Sequence, residues 1–353
     1  MLPITPPVAP MLAKLHEDIP RGEGWLYEPK WDGFRAIVLR DGESLRIDSR
    51  NGQTLDRYFP EVVEQLRLAL PERCVVDGEI VIAGERGLDF DALQQRIHPA
   101  ASRIKRLSVE TPASFIAFDL LAVGDEDLRG AGGAQRRARL IAELRATPSV
   151  AITPQTDDPD EAAEWFTRYE GAGLDGVIAK QAGQRYVEGE RLWVKVKHRR
   201  TCDCVVGGYR LAINPGAGIA SMLLGLYDSE GVLHLVGHTS SFKADERRAV
   251  LEKLRPYEGD GGFGWGRTPG GPNRWNQGSR WTQGKRDESW VALRPELVCE
   301  VSFDYMQGER FRHAARFHRW RTDKDPAECT FDQLVPPVRI DLSDVVEFGA
   351  PAE

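Results

Sequence analysis

The feature that most constrains this chain is a change of pattern at residues 198–201. Before them, short β-rich runs alternate with amphipathic helical stretches; after them, nearly every periodic run reads as strand. One layered core does not accommodate such a switch, and 353 residues are enough to bury two. The polar, basic segment His198-Arg199-Arg200-Thr201 is therefore read as a hinge between residues 1–197 and residues 202–353.

In the first part, residues 34–40 and 44–50 flank Asp41-Gly42, whose glycine supplies the positive φ of a tight hairpin turn. Pro60 opens a helix that sets Val62, Val63, Leu66 and Leu70 on one face. Residues 74–82 and 114–123 read as buried strands, 134–145 and 160–170 as helices, and 175–180 with 192–197 as closing strands. The second part offers about five strands and a helix near 243–255, the inventory of a small Greek-key barrel such as an OB-fold. A Gly-, Trp- and Arg-rich insertion near 259–286 interrupts it and reads as a long flexible loop suited to DNA contact.

Composition narrows the class. No apolar run approaches bilayer length, and the first residues lack the basic and apolar segments of a leader, so a soluble cytoplasmic protein with no membrane partner is expected. Five scattered cysteines fit reduced thiols, and the closely spaced Cys202 and Cys204 lack partners for a zinc site. A net charge of -7 argues against uniform coating of nucleic acid. Basic charge is nevertheless concentrated in two stripes, residues 191–200 without an acid and residues 310–324 with Asp323 alone, as for a polyanion held at defined places.

The richest segment is Glu28-Pro29-Lys30-Trp31-Asp32-Gly33-Phe34-Arg35. A lysine just before an Asp-Gly turn sits at a strand end, where its amine projects into a cleft. Such an amine attacks phosphorus only when neutral, and its ordinary pKa of about 10.4 leaves roughly one part in a thousand neutral at pH 7. A site that uses Lys30 as nucleophile is expected to lower that value, through neighbouring lysines or a divalent cation. No GxxxxGK[ST] loop occurs, so any ATP is held by another kind of fold.

Six further segments follow in order: Ser49-Arg50-Asn51-Gly52, Asp77-Gly78-Glu79, Phe118-Asp119-Leu120, Asp175-Gly176-Val177-Ile178-Ala179-Lys180, Trp193-Val194-Lys195-Val196-Lys197 and Arg321-Thr322-Asp323-Lys324. With the Lys30 segment they resemble the ordered motif set of the covalent nucleotidyltransferases, specifically the ATP-dependent DNA ligases and, among them, the short two-domain type of actinobacteria. The resemblance runs from Pro10 to Lys324. It implies an α+β fold: an adenylation (nucleotidyltransferase) domain of mostly antiparallel sheets over 1–197, the hinge, and an OB-fold barrel over 202–353. The implied activity is sealing of 3′-OH/5′-phosphate nicks in duplex DNA through a lysyl-AMP intermediate and a DNA-adenylate. It implies ATP with Mg²⁺ or Mn²⁺, nicked DNA as partner, a monomer, and recruitment by DNA repair proteins.

On this resemblance Lys30 is the nucleophile, beside Asp32. Glu28 accepts from the adenine amine, Phe118 and Ile178 sandwich the ring, and Arg35 and Glu79 hold ribose hydroxyls. Lys195 and Lys197, which alternate with Val194 and Val196, present one strand face to the α-phosphate. Glu79 and Asp175 are oxygen ligands for the metal, Arg50 grips the nick 5′-phosphate, and Asp323 with Lys324 serves the leaving pyrophosphate. Two departures stand out: Asp175 replaces the usual Glu, and His313-Ala314-Ala315-Arg316 lacks the proline often found there. Neighbouring readings with the same core are an RNA ligase or a capping-type guanylyltransferase; a further one is a non-catalytic OB-containing nucleic-acid-binding protein.

Overall fold

The computed structural model describes residues 1–85, 87–198, 200–214, 216–259, 263, 290–304, 306–334 and 338–350. Apart from Gly259 and Phe263, the insertion expected near 259–286 lies outside the described residues, as does Arg199 in the expected hinge. The described chain forms two compact units: residues up to His198 joined by the C-terminal residues from 338, and residues from Arg200 to 334.

The strands of the first unit are β1 (Leu12–His16), β2 (Trp25–Pro29), β3 (Phe34–Asp41), β4 (Ser44–Ser49), β5 (Arg73–Val81), β6 (Ser114–Val123), β7 (Val150–Ile152), β8 (Gly176–Gln181) and β9 (Arg191–Lys197). They build one sheet in the order β1-β9-β8-β2 and another in the order β7-β6-β5-β3-β4. Neighbours pair antiparallel except β1 with β9 and β7 with β6. The β3–β4 hairpin turns at Gly42, whose φ is +61°, as the Asp-Gly signal requires.

Alternation along the strands sorts the two faces of each sheet. On β3 and β5, Ala36, Val38, Val76 and Ile80 bury against Val62 and Leu66 of α1 (Pro60–Ala69). The other face, with Ile37, Leu39 and Val75, packs with Phe118 of β6 and Trp193 of β9, so the two sheets stack through one shared core. On the far side of the smaller sheet, Tyr27, Val177, Val194 and Val196 pack with Ala162 from the helix Pro159–Arg168.

The C-terminal residues were expected in the second domain, and the structure corrects this. Ile340, Leu342, Val345, Val346 and Phe348 pack against Trp31, Val81, Trp165 and Tyr169 of the first unit. Gly171 permits the approach, since a Cβ there would lie 1.7 Å from the Val338 carbonyl. The strip has no strand or helix period, so its pattern does not announce which core it completes.

In the second unit β10 (Arg200–Leu211), β11 (Ile219–Tyr227), β12 (Leu233–Thr239), β13 (Val298–Phe303) and β14 (Arg316–Trp320) pair antiparallel in the order β12-β11-β10-β13-β14. A helix follows at Glu246–Leu254. A short strand at Arg310–Phe311 precedes β14. Cys202, Cys204, Cys299 and Cys329 are free and buried in this core.

One ion pair ties the first unit's helical layer to its sheet. Arg136 donates from Nε to Asp119 Oδ1 (2.8 Å) and from Nη2 to Asp119 Oδ2 (2.9 Å), with both side chains buried. Its Nη1 donates to the carbonyls of Ala131 and Gln184. Removing one partner of such a pair strands the other charge in a low dielectric, at a cost of about 3–5 kcal/mol. Asp119→Ala is expected to lower the free energy of unfolding by that amount, seen as a lower urea midpoint at unchanged slope.

Candidate active site

Strand register brings distant motifs together. Glu28 on β2 lies opposite Ile178 on β8, which lies opposite Lys195 on β9. Lys30 follows β2 directly: its N–H donates to the Gly176 carbonyl (2.8 Å), and the Asp175 N–H donates to the Lys30 carbonyl (3.0 Å). Glycines make these approaches feasible. Gly176 has φ +133°, and a Cβ there would lie 2.0 Å from the Val196 carbonyl. A Cβ on Gly33 would lie 2.2 Å from the Ile80 carbonyl, so the Asp-Gly step lets the chain after Lys30 press against the strand that carries Glu79.

The result is a cavity of about 300 Å³ between the sheets. Glu28, Lys30, Arg35, Arg50, Glu79, Phe118, Ile178, Lys195 and Lys197 line it. Asp175 enters through its ion pairs with Lys30 and Lys197. Asp32 immediately precedes Gly33, partly buried. Arg50 is exposed in the turn beyond β4.

Charge within the cavity is tightly coupled. Asp175 Oδ2 accepts from Lys30 Nζ at 2.7 Å and from Lys197 Nζ at 2.6 Å. Burial alone would push the Asp175 carboxyl up, but the two lysines together hold it below the usual range. The same contact corrects the expectation for Lys30. Burial pushes its ammonium down, yet Asp175, Glu79 and Asp32 outweigh burial and raise it. Lys195 behaves differently, lowered by burial and by Lys197, Lys30 and Arg191. Burial drives the Glu79 carboxyl up to about 7 against the pull of Arg35 and Lys30.

The inner end of the cavity is a polar network over aromatic rings. Glu28 Oε2 accepts from Lys180 Nζ (2.7 Å) and Oε1 from Gln155 Nε2 (2.7 Å). The Lys180 ammonium lies 4.8 Å from the Phe118 ring centroid and 4.3 Å from that of Trp193, rings that meet edge to face at 6.1 Å. Arg35 is gripped by Asp77, with Nε to Oδ1 and Nη2 to Oδ2 both 2.5 Å.

Asp323 and Lys324 belong to the second unit. Asp323 accepts from Arg321, which holds its carboxyl down at about 2, while Arg321 Nη1 donates to Asp203. Lys324 Nζ lies 3.4 Å from Glu328 Oε2. Among the described residues no group of three or more His, Cys, Asp or Glu is arranged to hold a metal ion.

Several residues of this site escape the sequence reading. Lys180 and Trp193 stand inside quoted motifs with no role attached, and Asp77 precedes Glu79 in the same way. Gln155 and Tyr186 lie between strands, without any pattern that marks them.

A pH dependence follows from Glu79. Its folded value of about 7 lies above the ordinary 4.5, so the folded state holds the extra proton between those limits and stability falls as pH rises through them. In the ligand-free protein, Glu79→Gln is expected to flatten that decline and to be more stable by about 2 kcal/mol at pH 8. Urea titrations of both proteins from pH 4 to 8 read the difference.

With this geometry in hand, comparison with known proteins is informative. Residues 8–197 match the family model of the ATP dependent DNA ligase domain, and residues 215–324 match that of the ATP dependent DNA ligase C terminal region. The chain is 50% identical over 359 residues to DNA ligase C of Mycobacterium tuberculosis, covering 98% of both chains. It is 49% identical over 344 residues to DNA ligase C2 of Mycolicibacterium smegmatis, covering 95% of this chain and 96% of that one. A solved Lig E DNA ligase shares the fold at a TM-score of 0.54 and 18% identity, covering 88% of this chain and 99% of the other. The two family models together span both units, and the near-full-length identity to mycobacterial ligases agrees with them: the chain belongs to the ATP-dependent DNA ligases.

Proposed function

We propose that this chain seals 3′-OH/5′-phosphate nicks in duplex DNA in three steps, with Lys30 as the carrier of AMP. The observation that carries this reading is the placement of Lys30 at the edge of a cavity whose walls supply aromatic surface at Phe118 and fixed cations at Lys195 and Lys197. Family membership supplies ATP and DNA as the substrates.

In the first step the Lys30 amine attacks the α-phosphorus of ATP, forming an N–P bond as the bond to pyrophosphate breaks. Lys30 must first release its proton, and the contact with Asp175 that keeps it charged must loosen. A triphosphate entering beside Lys195 and Lys197 would draw Lys197 toward its oxygens and away from Asp175. Adenine lies between Phe118 and Ile178 with its amine toward Glu28, and Arg35 and Glu79 face the ribose. Glu79 and Asp175 would offer oxygen donors to Mg²⁺ carried by the triphosphate, which would supply neutralisation of phosphate charge. Asp32 supports the turn that presents Lys30.

In the second step the nick 5′-phosphate, gripped by Arg50, takes AMP from Lys30 and frees the lysine. In the third the 3′-hydroxyl attacks that phosphate and AMP leaves. The antiparallel second unit is read as an OB-type barrel that contributes Asp323 and Lys324 to departure of pyrophosphate, and residues 198–201 as the hinge between the domains.

Intact mass spectrometry after incubation with ATP should find one added AMP, absent from Lys30→Ala and absent when GTP replaces ATP; labelling that survives Lys30→Ala would overturn the assignment. Lys324→Ala should lose ATP-dependent sealing by about two to three orders of magnitude, the scale of one electrostatic stabiliser. On a nick that already carries AMP the same variant should seal normally, because no pyrophosphate leaves in that step.

A further inference from the structure

The Asp77 carboxylate is the most deeply buried charge beside the cavity, with 0% of its surface exposed, and it does not line the cavity itself. Three donors converge on it. Arg35 supplies two, and the third is the Tyr186 hydroxyl, which donates to Asp77 Oδ2 at 2.6 Å. That hydroxyl in turn accepts from the Met11 N–H at 2.9 Å, and the Met11 carbonyl accepts from Arg35 Nη2 at 3.1 Å. The bonds close into a ring through Arg35, Asp77, Tyr186 and Met11, joining β3, β5, the β8–β9 connection and the segment before β1.

The ring has a directional consequence for Arg35. Its Nε and Nη2 edge is fixed against Asp77 and Met11, and its plane is held over Phe118 and Trp193, with the guanidinium carbon 4.6 Å and 5.0 Å from the two ring centroids. Nη1 is then the end of the fork left to meet a ligand in the cavity that Arg35 lines. A phenol has one proton to donate. Because Met11 N–H occupies its acceptor side, the proton of Tyr186 is aimed at Asp77.

We propose that Tyr186 is a positioning residue for nucleotide selection: through Asp77 and Met11 it holds Arg35 so that Nη1 meets a ribose hydroxyl of ATP. This rests on the reading of the cavity as the ATP site. Without the hydroxyl, Asp77 loses one of its three donors and the Met11 N–H loses its acceptor, so the guanidinium gains freedom to tilt off its rings. The loss falls on binding of the sugar and not on the attack by Lys30, which follows β2 of the other sheet, while Arg35 lies on β3.

The test measures enzyme adenylation by wild type and Tyr186→Phe with ATP, 2′-deoxy-ATP and 3′-deoxy-ATP. With ATP, Tyr186→Phe should raise KM about tenfold and leave kcat within about twofold. Wild type should discriminate against at least one deoxy analogue, and with that analogue the penalty of Tyr186→Phe should disappear, because the hydroxyl that Arg35 meets is missing. In an Arg35→Ala background, Tyr186→Phe should add nothing to KM. An equal penalty on all three nucleotides, or full additivity with Arg35→Ala, assigns Tyr186 to stability alone and overturns the proposal. A wild type that adenylates equally well with all three nucleotides overturns it as well. Should wild type fail to take AMP from ATP at all, the nucleotide-site reading falls with it, and that outcome is distinct from the others.

Discussion

A single carboxylate oxygen organises the charged centre of this protein. Asp175 Oδ2 accepts from both Lys30, which directly follows β2, and Lys197, at the end of β9 in the same sheet as β2. Two ammonium groups that close repel strongly in a partly buried cavity, and only an acid between them makes the arrangement stable. The same acid raises the Lys30 ammonium against burial and so favours its charged form. On the proposed reaction, the contact that stabilises this centre is also the one that Lys30 must loosen before it can attack.

The geometry behind that contact is made by main chain. The Lys30 N–H donates to the Gly176 carbonyl and the Lys30 carbonyl accepts from the Asp175 N–H, and both Gly33 and Gly176 sit where any side chain would strike a carbonyl oxygen. The position of Lys30 is therefore set by main-chain hydrogen bonds and by two close approaches, not by its own rotamer alone. Trp31, the next residue, reinforces this from below. Its indole N–H donates to Thr153 Oγ1 at 2.8 Å, and its ring packs with the C-terminal residues Val345 and Val346. The C-terminal residues thus support the residue beside Lys30.

The aromatic wall has a comparable economy. Phe118 and Trp193 carry Arg35 and Lys180 over the same pair of rings. Each cation also has a buried carboxylate partner, Asp77 for Arg35 and Glu28 for Lys180. Burying charge in this way is costly unless every donor and acceptor is used, and here the fixed partners leave few orientations open. Rigidity at the inner end contrasts with the exposed Arg50 at the rim.

Local pattern was enough to draw much of the scaffold. Asp41-Gly42 marked its hairpin, Pro60 its helix, and the alternation of Val194, Lys195, Val196 and Lys197 set two lysines on one strand face. The ordered motifs of the first unit named residues around the cavity because each of them sits at a strand end or along a strand, where spacing is informative. Pattern could not give the charge state of Lys30, since that depends on Asp175, 145 positions away, reaching it through a strand pairing. Nor could it find Tyr186 or Gln155, whose partners lie on other strands and whose neighbours carry no period. The C-terminal strip was misassigned for the same reason: an apolar segment declares that it will be buried, while only the assembled tertiary surface decides against what.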